Sequence, residues 1–430
     1  MNKPIQNLLA ILEERSILPT VIDLAPAWQD CFLVGGSVRD WLLDRPLVDF
    51  DLATAGNPTT LAKQFAEAVS GRWVSLDETF CQSRVVWRDQ ETTLWCDFAP
   101  LRASKLAGDL AARDFTINAM ALDLRDQEFG IADPLGGIGA LQDRRLSLCA
   151  PDVLSADPLR CLRAVRFAAT LGMKPDDELC NGIRKTAPRL ADVAGERINS
   201  ELAKTFSVPD QGKNLALLKQ LGIWSNLFGD GLGDCDVSFL QEADRQLSNG
   251  QGLGILGEQS LGSGWNRTGV LRLALLLRTN RLSTMVKSMA GRLKWGNSLT
   301  QLVGQLCEFK LPGDFLRETQ LATTRGRVQA CLALGPDFVS CLMMALLLAP
   351  ETSPDPNAIA DFSREAVLHA PQGRLQPLVD GGWIARELGI QPGPELGRLL
   401  DELRRGEIDG RIRNRSDGEE FLRRLVVKSD

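Results

Sequence analysis

The sequence predicts an α+β N-terminal head, a small mixed sheet with helices, followed by an all-α C-terminal half. Between residues 32 and 148, short alternating apolar segments rich in Trp, Val and Phe are separated by turns and short helical patterns. After about residue 155, apolar side chains recur at helical spacing to the end of the chain. With 430 residues the chain is long enough for two or three domains. We expect domains at 1–148, 149–206 and 207–430.

Composition narrows the class of protein. Hydrophobic residues make up 44% and charged residues 24%, as in an ordinary globular protein. The longest apolar run, Phe338 to Ala349, is too short to span a bilayer, and the N-terminus lacks a signal pattern. The ten cysteines form no CxxC pair, and the single histidine, His369, excludes a two-histidine metal site. We expect a cytoplasmic protein that does not bind membranes. The net charge of −6 does not exclude a nucleic-acid partner, because a local basic surface suffices.

The first pattern with chemical meaning is a strand, turn and helix. Phe32 to Val34 predicts a buried strand, Gly35 and Gly36 a tight turn, and Ser37 the N-cap of a helix over Val38–Leu43. Adjacent glycines allow backbone to approach a ligand closely, and a helix N-terminus presents N–H groups that lack partners in the helix. This combination suits a triphosphate.

A second apolar run, Val48 to Ala53, predicts a strand that carries two acids. Because side chains alternate across a strand, Asp49 and Asp51 share one face while Phe50 and Leu52 point into the core. Two adjacent like charges are unfavourable unless a cation lies between them. Magnesium binds carboxylate and phosphate oxygens together, so the pair predicts a Mg²⁺ site. The alternative is a pair of solvated acids on an edge strand.

These two patterns together, Gly-Gly-x-Val-Arg-Asp followed by Asp-x-Asp, resemble the catalytic motif of the class II tRNA nucleotidyltransferase and poly(A) polymerase family, within the DNA polymerase beta superfamily. The resemblance implies metal-dependent transfer of a nucleotide to an RNA 3′-hydroxyl. Asp49 and Asp51 would then be the catalytic ligands of two Mg²⁺ ions. Gly36 and Arg39 would hold phosphate oxygens, by backbone N–H and by guanidinium. Asp40 is expected mainly to orient that arginine.

A second motif, ARDFTINAMA, resembles the family's RRDFTINA. The resemblance assigns it to recognition of the sugar, whose 2′-hydroxyl distinguishes ribonucleotides from deoxyribonucleotides. Arg113 would donate to that hydroxyl, and Asp114 or Asn118 would hold Arg113 in place. The family's motif begins with two arginines, and Ala112 replaces the first of them here. Because Arg113 remains, only an auxiliary contact made by the first arginine is expected to be lost.

The third motif lies on a helix predicted over Asp157–Leu171. Asp157, Arg160, Arg163 and Arg166 recur every three residues and form a ridge on it. A solvated charged face explains only part of this pattern. The segment resembles the family's EDxxR motif, in which Asp and Arg recognise the Watson–Crick edge of the incoming base. Cytosine and adenine both carry an amino group beside a ring acceptor, so one such pair accepts both. The two later arginines would approach the triphosphate or stabilise the pocket.

The resemblance implies tRNA as partner, CTP and ATP as substrates and Mg²⁺ as cofactor, with addition of C, A or both. Only APLRASKLAGDLAA separates Phe98 from Arg113, where many relatives carry a longer flexible segment linked to the switch from CTP to ATP. A CC-adding enzyme is therefore a strong alternative, followed by a poly(A) polymerase and a non-catalytic RNA-binding paralogue. Basic residues of the C-terminal half either contact tRNA phosphates or lie on solvated helix faces; they are Arg404, Arg405, Arg411, Arg413, Arg415, Arg423 and Arg424.

Overall fold

A computed structural model describes most of the chain as two compact units. The first comprises Met1–Val193 with Leu217–Leu227, and the second Ala194–Ala216 with Phe228–Asp430. The described residues are 5–24, 30–77, 79, 81–125, 130–208, 211–229, 241, 244–245, 247, 257, 259–279, 282–309, 337–348, 377–408, 411–412 and 414–427. His369 and Arg413 lie outside them. The first compact unit continues past residue 148 to Val193. The domain boundary predicted at residue 148 therefore stays a prediction.

The first unit alternates strands and short helices. In chain order its elements are α1 (Ile5–Glu14), α2 (Ile17–Leu24), β1 (Cys31–Val34), α3 (Gly36–Leu42), β2 (Asp49–Thr54), α4 (Pro58–Ala68), β3 (Arg72–Asp77), β4 (Gln82–Asp89), β5 (Thr92–Pro100), α5 (Leu106–Ala111), a 3₁₀ helix (Thr116–Asn118), β6 (Ala121–Asp123), β7 (Ile131–Ala132), α6 (Gly137–Gln142), β8 (Arg145–Leu146), α7 (Val153–Ala156), α8 (Arg160–Leu171), β9 (Lys174–Pro175), α9 (Asp177–Thr186) and a second 3₁₀ helix (Ala187–Asp192).

Seven strands form one mixed sheet in the order β3-β4-β5-β2-β1-β6-β7. Strands β2 and β5 are parallel and the other neighbours are antiparallel. One face packs on α4, where Phe65 lies 5.3 Å from Phe98 and 5.6 Å from Trp87 between ring centroids. Phe50 and Leu52 are buried, which confirms the alternation predicted for β2. The predicted mixed sheet with helices is confirmed.

The opposite face of the sheet, which carries Asp49 and Asp51, is covered only in part. At β1 and β6, an apolar cluster that includes Val34, Leu110 and Ala121 buries it. Since the pairing of β2 with β5 sets Asp49 beside Trp95 and Asp51 beside Asp97, this face continues toward β5. The acids thus lie at the edge of a buried core.

Helices dominate the described residues of the rest of the chain, as the sequence predicts. The elements are α10 (Gly195–Phe206), α11 (Gln211–Gln220), α12 (Ile223–Phe228), β10 (Ser260–Gly262), β11 (Trp265–Asn266), α13 (Arg267–Thr279), a 3₁₀ helix (Ser283–Met285), α14 (Val286–Leu293), α15 (Asn297–Glu308), α16 (Phe338–Leu348), α17 (Gly381–Leu388), α18 (Pro394–Ile408) and α19 (Arg415–Val427). None of the helices in the described ranges has the length and apolar character needed to cross a bilayer.

A shared side-chain amide organises the core of the second unit. The Asn199 Oδ1 accepts from the indole N–H groups of Trp265 and Trp295, at 2.7 and 2.8 Å. All three residues are buried, so both indole donors are satisfied in the absence of water. Near the C-terminus, α17, α18 and α19 surround a separate cluster that includes Trp383 and Leu403.

Several arginines of the C-terminal helices are held by their own helix. Arg405 pairs with Glu402 at 2.9 Å and Arg415 with Glu419 at 3.0 Å, and Arg424 pairs with Glu420. Such exposed pairs at helical spacing contribute little to stability. These three arginines are therefore exposed to solvent, and the choice between tRNA contact and a solvated helix face stays a prediction.

Two predicted helix starts are displaced. The helix expected from Asp157 begins at Arg160, because Pro158 disfavours a helical conformation for the residue before it and Asp157 is extended. The helix expected from Val38 already begins at Gly36, with Gly35 at the cap position. Ser37 is therefore inside the helix instead of capping it.

Gly195, at the start of α10, makes a close contact within the second unit. A Cβ at this position would lie 1.9 Å from the carbonyl oxygen of Arg292. We expect Gly195→Ala to lower the free energy of unfolding by about 1–3 kcal/mol, because backbone must move. Denaturant unfolding measures the change.

Gly304→Ala, inside α15, is the matched control. No described atom lies within 4 Å of the added methyl group. We expect this variant to be more stable by about 0.5–1 kcal/mol, since alanine favours the helix. Equal stability of the two variants would contradict the close contact at α10.

Candidate active site

The glycine turn brings three chain segments together. Gly35 has a φ of +67°, a left-handed conformation that favours glycine. A Cβ there would lie 2.9 Å from Arg113 Nη1 and 3.3 Å from Asp51 Oδ2. The Ser37 hydroxyl accepts from the Asp51 N–H at 2.8 Å and donates to the Asp49 carbonyl oxygen at 3.3 Å. The turn and β2 are therefore locked side by side.

The two predicted metal ligands differ in environment. Asp49 is exposed, whereas Asp51 is half-buried and its Oδ2 accepts from the Gly36 N–H at 3.2 Å. Burial and, to a smaller extent, the charges of Asp49 and Asp97 raise the pKa of Asp51 to about 6, although the Arg113 charge and the Gly36 N–H act in the opposite direction. The N–H expected to hold a phosphate thus contacts a carboxylate. A cation beside Asp51 would favour its ionised form.

The donor set fits a hard divalent cation. Asp97 is already bound by Arg84 through two hydrogen bonds of 2.6 and 2.7 Å, which leaves Asp49 and Asp51 as the acid pair. Within the described ranges, no group of three or more His, Cys, Asp or Glu side chains is placed to hold a metal. A cation here would take two carboxylates from the protein and its other oxygens from substrate and water, as Mg²⁺ does.

A continuous chain of hydrogen bonds connects α3 to α8. Arg39 binds both oxygens of Asp40, at 3.0 and 2.8 Å, and donates from Nη1 to Asn118 Oδ1 at 2.6 Å. The Asn118 amide donates to Asp114 at 3.0 Å. Asp114 also accepts from Arg163 Nε at 2.8 Å. Predicted residues from all three motifs take part, two of them from the second motif.

Asp114 is the buried centre of this chain. Burial alone would raise the pKa of its carboxyl, but the Arg163 charge and hydrogen bonds from Asn118, Arg163 and the Phe115 N–H outweigh it and lower the pKa to about 2. Its position between an amide and a guanidinium therefore keeps Asp114 ionised near neutral pH.

Arg113 is held by an acid that the sequence analysis did not single out. Asp109, 1% exposed, accepts from Arg113 Nε at 2.9 Å and from the Arg102 backbone N–H at 3.0 Å. The residues expected to hold Arg113 are engaged elsewhere in the hydrogen-bond chain. The available signal was the spacing, since an acid four residues before an arginine on a helix forms an ion pair.

The third motif contacts the second through backbone. Arg160 donates to the carbonyl oxygens of Ala112 and Val153, at 3.1 and 3.2 Å. Asp157 Oδ1 accepts from the Leu159 N–H at 3.2 Å, so it precedes α8 in a turn. The Asp157 carboxyl therefore lies at the junction of two helices and not on the helical ridge that the sequence predicts.

A buried aromatic ring lies beneath the arginines. The Cζ atoms of Arg166, Arg39 and Arg163 lie 4.1, 5.2 and 5.5 Å from the centroid of Phe167. The ring packs edge-on against Phe115 at 5.6 Å. These distances fall in the cation–π range, so one side chain helps to position three cations. The sequence analysis did not identify this role.

The predicted residues thus converge within the first unit. Two acids on a mixed sheet, beneath a Gly-Gly turn and beside a group of arginines, define the head of a nucleotidyltransferase. Comparison with known families agrees. Residues 31–147 match the model of the poly A polymerase head domain, and residues 172–231 match a probable RNA and SrmB-binding site of polymerase A.

Individual relatives extend the similarity over nearly the whole chain. A CC-adding tRNA nucleotidyltransferase of Geobacter sulfurreducens is 30% identical over 404 residues, 91% of each chain. An A-adding tRNA nucleotidyltransferase of Deinococcus radiodurans is 29% identical, covering 92% of this chain and 96% of its own. The crystal structure of the Bacillus stearothermophilus CCA-adding enzyme in complex with CTP shares the fold, with a TM-score of 0.58, 22% identity and coverage of 97% and 98%. The chain belongs to the tRNA nucleotidyltransferase and poly(A) polymerase family.

The lowered pKa of Asp114 makes a prediction about stability. A carboxyl whose folded pKa is about 2, against an ordinary 3.8, stabilises the fold above about pH 4 and loses that effect as the pH falls toward 2. We expect Asp114→Asn to lower the free energy of unfolding at pH 6 by about 2 kcal/mol. The difference from the wild type should shrink between pH 4 and pH 2 in denaturant unfolding.

Asp143→Asn, at an exposed position, serves as the control. Its difference from the wild type should stay close to zero at both pH values. A pH-independent effect of Asp114→Asn would mean that the carboxylate charge does not stabilise the fold.

Proposed function

We propose that this protein is a template-independent tRNA nucleotidyltransferase. It adds C, or C and A, from CTP and ATP to the tRNA 3′ end and releases pyrophosphate, with Mg²⁺ held by Asp49 and Asp51. The observation that carries the proposal is that Asp51, one of the two acids on β2, and Arg113 both lie against Gly35. Acids and guanidinium groups meet at one point, where a metal-bound triphosphate needs both.

Acidic residues bind the metal, and basic residues and backbone N–H groups bind the triphosphate. Asp49 and Asp51 hold the cation, which when bound lowers the pKa of the attacking hydroxyl and stabilises charge on the leaving pyrophosphate. Gly36 begins α3, where the triphosphate would bind, and Arg39 lies on the same short helix. Nucleotidyl transfer depends mainly on position and charge neutralisation, so these groups suffice for the reaction.

The nucleoside would be recognised by the second and third motifs. Arg113 donates to the ribose 2′-hydroxyl, while Asp114 and Asn118 keep Arg39 and Arg163 in place. Asp157 and Arg160 recognise the base edge. The Arg160 bonds to backbone carbonyls support this role, because they fix its guanidinium relative to Arg113.

Arg163 and Arg166 complete the nucleotide site. Both guanidinium groups lie near the Phe167 ring, as does that of Arg39. Arg163 neutralises Asp114, and Arg166 supports the pocket for the triphosphate.

A CC-adding enzyme is the more specific candidate. The segment between β5 and Arg113 is a short loop and helix α5, and Asp109 ties it at both ends, to Arg102 and Arg113. A segment anchored in this way has little freedom to reshape the pocket for a second nucleotide.

Domain roles and location follow from the same proposal. Residues 1–148 would be the catalytic head, 149–206 the neck that recognises the base, and 207–430 the body and tail that bind tRNA. We place the protein in the cytoplasm, because every cysteine in the described ranges is a free thiol.

The acid pair can be tested by isosteric substitution. Asp49→Asn and Asp51→Asn remove the charge and keep the shape, so each should reduce incorporation of labelled CTP into tRNA at least about 10³-fold. Binding of tRNA should persist. Asp143→Asn should retain full activity. Incorporation at the wild-type rate by either acid variant would overturn the proposed metal site.

The nucleotide choice can be tested with tRNA that ends at its discriminator base. We expect CTP and Mg²⁺ to extend it by two C residues, and ATP to add nothing before or after. Separation of the products at single-nucleotide resolution measures the extension. A terminal A after the two C residues would identify a CCA-adding enzyme, and a long A tract a poly(A) polymerase.

A further inference from the structure

The face of the sheet that carries the acids is closed on one side and open on the other. Toward β1 and β6 it is buried by the cluster that includes Phe32, Val34 and Ala53. Toward β5, β4 and β3, its side chains are half-buried or exposed, while the opposite face packs on α4. An RNA chain whose 3′-oxygen reaches Asp49 can therefore run along the sheet only over the open side.

The strand register aligns the open side with the acids. One cross-strand row runs from Asp49 through Trp95 and Val86 to Arg72. Successive strands lie about 4.8 Å apart, so the row extends roughly 14 Å from the acid. It offers an aromatic ring, an apolar contact and a cation in that order.

A parallel row starts at the second acid and runs through Asp97 and Arg84 to Val74. Arg84 and Asp97 neutralise each other at 2.6 Å, which leaves the middle of this row without net charge. Such a surface accepts a base without repelling the adjacent phosphate.

Exposed apolar side chains mark the same surface. Val74 and Leu76, on β3, are 37% and 48% exposed. Only four large apolar side chains are this exposed within the described ranges, and two of them lie here. Arg72 is also exposed, at the outer end of the first row. We call Trp95, Val86, Val74, Leu76 and Arg72 the open sheet face.

We infer that the open sheet face binds the unpaired 3′-terminal nucleotides of the acceptor RNA. Trp95 stacks on the base whose ribose presents its hydroxyl at Asp49, and Arg72 contacts a phosphate further along the strand. This inference rests on the proposed function. Single-stranded RNA is the occupant that fits, because stacking on aromatic rings and contact with cations are how proteins hold such strands without regard to sequence. A growing end needs that tolerance, since its last base changes with each addition.

Substitution of Trp95 tests the stacking contact. Trp95→Leu keeps an apolar side chain without a ring, and Trp95→Phe keeps a ring. We expect Trp95→Leu to raise the KM for tRNA on the order of ten-fold, with the KM for CTP unchanged. Trp95→Phe should stay near the wild type.

Trp73→Leu is the matched control, because Trp73 lies on the α4 side of β3, beneath the Lys63 ammonium at 4.7 Å. It should leave the KM for tRNA unchanged. The inference would be overturned if Trp73→Leu raised the KM for tRNA as much as Trp95→Leu does. It would also be overturned if Trp95→Leu raised the KM for CTP as much as the KM for tRNA.

Equilibrium binding without nucleotide gives a second test that needs no turnover. Trp95→Leu should weaken binding of tRNA ending in one added C, but not of the same RNA trimmed back to its paired acceptor stem. Equal weakening for both RNAs would overturn the inference. If wild-type protein incorporates no CTP, the proposed function itself fails. If it does, and Trp95→Leu leaves the KM for tRNA unchanged, only the open sheet face is refuted.

Discussion

The site depends on one steric constraint, the close approach of three chain segments at Gly35. The turn, β2 and the segment around Arg113 meet where a single methyl group would not fit. Because the turn is left-handed and lacks a side chain, the Arg113 guanidinium can lie beside the Asp51 carboxylate. The Ser37 hydroxyl then holds β2 in register with α3. In this structure the absence of a side chain at Gly35 allows Arg113 and Asp51 to lie close together. Room for a ligand is a second consequence of the same turn.

Two carboxylates with opposite pKa shifts show how the site is balanced. The pKa of Asp51 is raised by burial and by neighbouring acids, whereas the Arg163 charge and several donors lower that of Asp114 despite its burial. An added cation would stabilise the ionised form of Asp51, whereas Asp114 already has a cationic partner in Arg163. A metal-bound triphosphate at the proposed site would therefore meet an acidic edge that favours the metal and a basic edge that favours the phosphates. This separation of charge is built by folding, before any substrate arrives.

Sequence patterns predicted those features that depend on local spacing. The alternation of Asp49 and Asp51 with Phe50 and Leu52, the glycine turn and the helical C-terminal half all follow from periodicity or turn chemistry, and the structure agrees. The hydrogen-bond chain from Arg39 through Asn118 to Arg163 did not follow, because its members are far apart in sequence and meet only through tertiary packing.

The partner of Arg113 was also misjudged for a physical reason. Asp114 and Asn118 were nearer in the motif, but both are committed to other donors, and Asp109 is buried one helical turn away. The start of α8 also differs from the one predicted by the apolar periodicity. Pro158 disfavours a helical conformation at Asp157, so the helix begins at Arg160.

The shared ring at Phe167 has a consequence for how this pocket can evolve. Three guanidinium groups depend on one aromatic surface, so the effect of changing any one of them depends on where the other two then lie. Substitutions at such positions are energetically coupled and not additive. Epistasis of this kind restricts the order in which mutations can accumulate, and a lineage that lost the ring would have to replace several cationic contacts together.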